Sequence, residues 1–346
     1  MTPKQRFLAA LRLETPDRVP LMYQHLGGAK WVLASCGKSM REGFHDPDTF
    51  AEIALTSHKL FGFDNVMAGW GDLLVEAHAL GTQWKWPERD FYPRVDTYAV
   101  QSPTDVDKIQ PVDPIRDDHW SVLIRAAGIM QGKIGKEVEV VGYLNSPFLV
   151  ASEMMGYENL LMTLFKGPEA VDKLLSIIVE SEKMYVDRVT ADVALDSIFL
   201  ENGSAGAETN SPELCERYDL RYAKMILDRS KAQGMRSILH NCAAEPYLEA
   251  QAQLGADALH FNNKAVQLGR TFESLRGKLC VISGIDHMEL LFKRSPDEVE
   301  EEVKKIIRFF GKSPGIILAP GCEMPFKTPL ENIRRLKEAT ERFGTY

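Results

Sequence analysis

From residue 138 to its C-terminal end the chain repeats one pattern: a short, nearly continuous apolar run, then a longer stretch with helical periodicity. The runs cover residues 138–145, SIFLEN (197–202), RSILHNC (236–242), ADALHFNN (256–263), KLCVISGID (278–286) and GIILAPGC (315–322). Strands without polar alternation are buried on both faces, the condition of a parallel sheet covered by helices. The intervening segments carry helix signals. One helix starts at Pro147, another at Ser211-Pro212-Glu213 running towards Gly234, and a third spans about 245–254. Ser295-Pro296-Asp297-Glu298 opens a helix in which Val299, Val303, Ile306, Ile307 and Phe310 share one face. Thr328-Pro329-Leu330-Glu331 caps the last helix, with Ile333, Leu336 and Ala339 on its apolar side. Upstream, RVPLMYQ (18–24) and DNVMAGWGD (64–72) read as two further strands. Eight strands alternating with helices predict an α/β fold of the (β/α)8 TIM-barrel class. No glycine-rich phosphate loop follows the first strand, which argues against an open doubly wound sheet. The surplus length lies before residue 138. Thr2, Pro3 and Gln5 mark a capped N-terminal helical extension, and the Trp-, Tyr- and Pro-rich stretch near 82–120 reads as an insertion into one domain spanning 1–346.

In such a barrel the chemistry sits where strands end. The predicted strand ends carry Gln24 and His25, Asp72, Asn145, Glu201 and Asn202, His240 and Cys242, Asn262 and Asn263, Asp286, and Cys322. Any single Asn or Asp there is ordinary solvation. Cysteine is different, because it is among the most buried side chains and gains nothing from a solvated strand end. The five cysteines are scattered and odd in number, which makes no disulfide framework and fits a reducing cytoplasm. Residues i and i+2 of a strand point to one side, so His240 and Cys242 can share a metal, and a closed barrel would bring Cys322 to the same face. Two thiolates and an imidazole suit a catalytic zinc with its fourth position open. On spacing alone the other reading stays open: His240 caps a strand, and Cys242 and Cys322 are small buried fillers. Cys36, Cys215 and Cys280 fall under that second reading. The net charge of -8 and pI near 5.6 argue against nucleic-acid binding. No apolar run is long enough for a membrane span, and the charged N-terminal stretch has no signal-peptide core.

Several blocks resemble the uroporphyrinogen decarboxylase superfamily. They are MTPKQRFLAALRLETPDRVP at the N-terminal end, FGFDNVMAGWGDLLVEAHALG (61–81), GYLNSPFLVASEMMG (142–156), LHNCAAEPYLEAQAQLGADALHF and GIILAPGCEMPFKTPLENIRRL, in that family's order over essentially the whole chain. The resemblance puts Asp72 at the family's catalytic aspartate. Three departures change what it implies. Family decarboxylases carry an Arg-Gln-Ala-Gly-Arg run after the first strand, where this chain reads MYQHLGGAKWVL (22–33) without arginine, so a polycarboxylate tetrapyrrole has no bidentate partner there. Glu153 replaces the family tyrosine of the third block, and Cys322 replaces the histidine of a C-terminal Gly-His-Gly. His-x-Cys with a late Gly-Cys is similar to the superfamily's methyltransferase branch, which includes the methylcobamide:coenzyme M methyltransferases. Ala243 departs from that branch, whose members often have glycine after the cysteine.

This resemblance implies a zinc enzyme, with His240, Cys242 and Cys322 as ligands, moving methyl groups between a corrinoid and a small thiol or methylated substrate. The chain has no Asp-x-His-x-x-Gly motif, so methylcobalamin or another corrinoid would arrive on a separate protein. Glu201 is expected as base or displaceable ligand, with Asp72 and Asp286 orienting substrate or the zinc histidine. Tyr23, Gln24, Asn145 and Asn262 are candidate substrate contacts, and the 82–120 segment with Tyr23, Trp70 and Phe261 would wall an open funnel. The alternatives are a decarboxylase or lyase acting on a non-porphyrin acid, and a non-catalytic binding relative.

Overall fold

The computed structural model describes residues 1–24, 29–71, 75–89 and 91–346. The strands, in chain order, are β1 (Asn65–Ala68), β2 (Gln83–Lys85), β3 (Arg94–Thr97), β4 (Glu139–Asn145), β5 (Ser197–Glu201), β6 (Arg236–Asn241), β7 (Ala258–Asn262), β8 (Cys280–Ile285) and β9 (Ile316–Pro320). Seven of them form one curled parallel sheet in the order β1-β4-β5-β6-β7-β8-β9. Every residue of β1, β4, β5, β8 and β9 is buried, which is why their sequences read as unbroken apolar runs. Neighbours in the sheet follow chain order because a helical return after each strand favours the adjacent parallel position.

The stretch RVPLMYQ forms less than the predicted strand. Leu21 makes an isolated parallel bridge to Leu318 in β9, with Met22 N donating to Leu318 O at 2.9 Å and Leu318 N to Pro20 O at 3.0 Å. On the β1 side Asp64 N donates to Leu21 O at 2.9 Å, but Tyr23 N donates to the side-chain Oδ1 of Asn65 at 3.0 Å. Pro20 has no amide to donate, and the Tyr23 amide is spent on a side chain, so no continuous ladder develops. Buried Asp64 anchors this segment: it accepts from Arg6 Nη1 at 2.6 Å, Arg18 Nη1 at 3.1 Å and Leu21 N at 2.7 Å.

The Thr2–Gln5 capping box forms at the start of the Pro3–Leu11 helix, and Ser295 with Glu298 forms another before Pro296–Phe310. Two helix expectations need correction. The helix expected over 245–254 is confined to Leu248–Gln251, because Pro246 bridges to Gly206 instead. The last helix, Leu330–Phe343, has Pro329 at its N-cap and no side-chain cap from Thr328. The 82–120 stretch is an excursion from the sheet: β2 and β3 pair as an antiparallel ribbon, followed by 3-10 turns at Pro103–Lys108 and Pro114–Arg116. Among the described residues no helix is long and apolar enough to cross a membrane.

At the bottom of β4, Glu139 is fully buried, accepts from Ser197 Oγ at 2.6 Å and faces Lys4 Nζ at 3.7 Å. Burial pushes its carboxyl from 4.5 up to about 7. An acid whose folded pKa is raised favours folding below its unfolded pKa and loses that contribution as pH rises through the folded one. Stability should therefore fall from pH 4.5 to about 7, by up to about 3 kcal/mol. Urea unfolding across that window should show a flatter profile for Glu139→Gln. A parallel slope in the variant would assign the pH dependence to other groups.

Candidate metal centre

The end of β6 and the turn after β9 meet at one point. The ligand atoms of His240, Cys242 and Cys322 all lie within 4.8 Å of one another. Burial grades outward, from enclosed His240 through half-buried Cys322 to exposed Cys242. The β5–β6 register pairs Glu201 with His240, and this sets the carboxylate against the cluster. Glu201 Oε1 accepts from the Cys242 thiol at 3.5 Å and lies 3.5 Å from His240 Nε2. Its Oε2 accepts from Gln24 Nε2 at 3.2 Å, and that same amide lies 3.8 Å from Cys322 Sγ. Two thiols, one imidazole and a nearby carboxylate match the donor chemistry of zinc.

Small residues permit this approach. A Cβ on Gly203 would sit 2.8 Å from Cys242 Sγ and 3.4 Å from Glu201 Oε1. A Cβ on Gly284 would lie 2.2 Å from Phe261 O and 2.5 Å from Gly321 Cα, so β8 and the turn bearing Cys322 pack backbone to backbone.

Sequence reasoning missed the supports. His260 pairs with His240 across β6 and β7, and their rings lie 4.4 Å apart. Burial lowers its pKa to about 3, so the imidazole is neutral and Nε2 donates to Pro320 O at 2.9 Å, two residues before Cys322. The strand ends are held from behind by a buried polar chain. Asn202 Nδ2 and Ser204 Oγ both donate to Asp219 at 2.6 Å, Gln251 Nε2 donates to Asn202 Oδ1 at 2.7 Å, and Asn241 Nδ2 donates to Gln251 Oε1 at 2.8 Å. Asn241 Oδ1 then accepts from Ala243 N at 2.9 Å, which fixes the backbone on the far side of Cys242. The π-helical turn Cys215–Leu220 delivers Asp219 to this chain.

Other expected site residues are occupied elsewhere. The Tyr23 hydroxyl lies 2.6 Å from Ser57 Oγ and its ring packs on Phe63, so the side chain points into the wall behind the sheet. Asn145 is engaged with buried Glu76, donating from its backbone N at 2.9 Å and its Nδ2 at 3.2 Å, while Tyr143 donates to its Oδ1 at 3.2 Å. Asn262 accepts from Lys264 N at 3.0 Å as a cap, and its Cγ lies 2.8 Å from where a Gly321 Cβ would stand. Asp286 accepts from Met288 N and Glu289 N at 3.0 Å and faces Lys264 Nζ at 3.4 Å, so it serves the turn rather than the cluster. Trp70 stacks on Phe44 at 5.0 Å and Phe261 is fully enclosed, which makes both core rather than funnel wall. Asp72 and His25 lie outside the described residues. The insertion does reach the centre: Tyr92 donates to Glu323, next to Cys322, and Phe91 meets Phe326 at 6.1 Å. Beside Cys242 opens a cavity of about 370 Å³, lined also by Glu153, Tyr157, Glu201, Gly203 and Thr209.

The sequence profile of the family described as Uroporphyrinogen decarboxylase (URO-D) matches residues 2–343. The methylcobamide:CoM methyltransferase MtbA of Methanosarcina mazei is 26% identical over 344 residues, covering 99% of this chain and 98% of the relative. A uroporphyrinogen decarboxylase of Carboxydothermus hydrogenoformans is also 26% identical, over 98% of this chain and 96% of its own length. A solved methyltransferase from Methanosarcina mazei superposes with a TM-score of 0.89 at 23% identity, covering 99% of both chains, which shows a shared fold.

Proposed function

The chain belongs to the uroporphyrinogen decarboxylase family, and we propose that it is a zinc-dependent methyltransferase working between a corrinoid on a separate protein and a small thiol or methylated substrate. The observation that carries this reading is the convergence of His240, Cys242 and Cys322 within 4.8 Å. The corrinoid is supported by the activity of the relatives, which are methylcobamide:CoM methyltransferases. The same chain is 26% identical to a decarboxylase, but it carries no arginine between residues 19 and 40, which disfavours a polycarboxylate substrate.

His240, Cys242 and Cys322 would hold the metal. When bound, zinc lowers the pKa of a thiol and acts as a Lewis acid on a methoxy or hydroxyl oxygen. The rest falls to the chain's own groups. Glu201 takes the proton of an incoming thiol at Oε1, while Gln24 holds Oε2 and so fixes the carboxylate's rotation. His260 and the Asp219–Asn202–Gln251–Asn241 chain keep the ligands in register. The cavity beside Cys242 seats the small substrate, and the open strand ends admit the methyl-corrinoid. We read residues 18–24 as the eighth stave of a full (β/α)8 barrel forming one domain over 1–346, a reading supported by the Leu21–Leu318 bridge. The five scattered cysteines, odd in number, suggest no disulfide framework and favour a cytoplasmic setting.

The test is free methylcobalamin with the protein as purified and small thiols, followed by the cobalamin spectrum. Demethylation that disappears in Cys242→Ala is expected, with no decarboxylation of uroporphyrinogen by product chromatography. Porphyrinogen turnover at an enzymatic rate would overturn the reading.

A further inference from the structure

Two of the five cysteines are set apart from the rest. Cys242 is exposed and Cys322 half-buried, and their sulfurs lie within 4.8 Å of each other. Cys215 and Cys280 are buried, and burial raises both thiols above their ordinary range, which makes them poor nucleophiles. Cys36 stands alone at the end of the Lys30–Cys36 helix, where its thiol donates to Val32 O at 3.3 Å. The cavity of about 370 Å³ reaches Cys242. Glycine at 203 keeps that sulfur open on one side, since a Cβ there would stand 2.8 Å from it. A small oxidant entering the cavity meets the Cys242 sulfur first and finds a second sulfur close behind it.

We propose that Cys242 and Cys322 form an oxidation switch: a hydroperoxide joins them in a disulfide and so unloads the metal centre. What is unloaded rests on the zinc reading above; the joining rests on the two sulfurs alone. The Cys242 sulfur attacks the terminal peroxide oxygen and the O–O bond breaks. The sulfur keeps that oxygen as a sulfenic acid, and the other oxygen leaves as an alcohol, or as water from hydrogen peroxide. The Cys322 sulfur then displaces the sulfenic hydroxyl, which leaves as water while the S–S bond forms. Two thiols and one hydroperoxide thus give one disulfide, one alcohol and one water. The two sulfurs together lose two electrons, and the peroxide gains them. The disulfide offers no thiolate, so His240 is left as the one remaining member of the ligand set, too few to retain zinc against a chelator. Reduction by a dithiol restores both thiols.

Hydrogen peroxide added to the protein as purified, with a colorimetric zinc chelator present, tests this. About one zinc and two thiols per chain should be lost together. The intact mass should fall by two hydrogen atoms, and digestion should yield a peptide pair linking Cys242 to Cys322. Dithiothreitol should return both thiols and the capacity to rebind zinc. Cys36→Ser should behave as the parent does. Cys322→Ser should give no internal disulfide, and its Cys242 should proceed to sulfinic acid. Zinc retained after both thiols are lost overturns the proposal. So does a link from either residue to another cysteine, or oxidation of the parent to sulfinic acids without a linked pair. The Cys242–Cys322 link formed in a protein that carries no zinc would uphold the oxidation chemistry and overturn the zinc reading instead.

Discussion

Glu201→Gln should slow methyl transfer by about a hundredfold or more while leaving the bound metal nearly unchanged. The carboxylate ends β5, is 1% exposed, and lies 3.5 Å from both Cys242 Sγ and His240 Nε2. Glutamine preserves the volume, so packing is not the variable. Gln24 donates to Oε2, and a glutamine at 201 would turn its carbonyl oxygen to that donor. Its NH2 would then face the thiol, a donor where the reaction needs an acceptor. The measurement pairs single-turnover kinetics with metal analysis on the same preparation. A parallel fall in metal and rate would make Glu201 a permanent ligand, and a loss under about tenfold would remove it as the base.

Gly203→Ala should reduce metal content and activity together, at a stability cost of about 1–3 kcal/mol from overpacking. The added Cβ would stand 2.8 Å from Cys242 Sγ, closer than such atoms approach, and 3.4 Å from Glu201 Oε1. The Asn241–Ala243 hydrogen bond fixes the adjacent backbone, so the sulfur can yield only by turning about χ1, which takes it out of the position it holds beside His240 and Cys322. Gly128→Ala, in the Trp120–Ile134 helix with nothing within 4 Å of the new Cβ, is the matched control and should be neutral or slightly stabilising. Full metal occupancy in Gly203→Ala would show that the strand ends yield more easily than their hydrogen bonds indicate.

The sheet was legible because strands buried on both faces leave an unmistakable apolar run, and six such runs from residue 138 onward became β4 to β9. The strand predicted over 18–24 was less legible, since Pro20 and the Asn65 side chain interrupt its ladder in ways a hydrophobic count does not register. Pro246 shortened one helix for a similar local reason. At the site, His240, Cys242 and Cys322 stood out because cysteine is chemically conspicuous at a strand end. Position alone could not say whether a polar strand-end residue faces the mouth. Tyr23 turns to Ser57, Asn145 to Glu76, and Asp286 to its own following turn. The supports were hidden for the opposite reason: Asp219, Gln251 and His260 gain their roles only from pairing across separate elements.

The metal itself is the most direct test. Elemental analysis of protein purified without added metal should find about one zinc per chain, as three catalytic-type ligands with an open fourth position require. The Cys242→Ala, Cys322→Ala double variant should retain close to none while keeping the parent's far-ultraviolet circular dichroism. Full zinc in a folded double variant would contradict the ligand assignment, and with it the chemistry built on that centre.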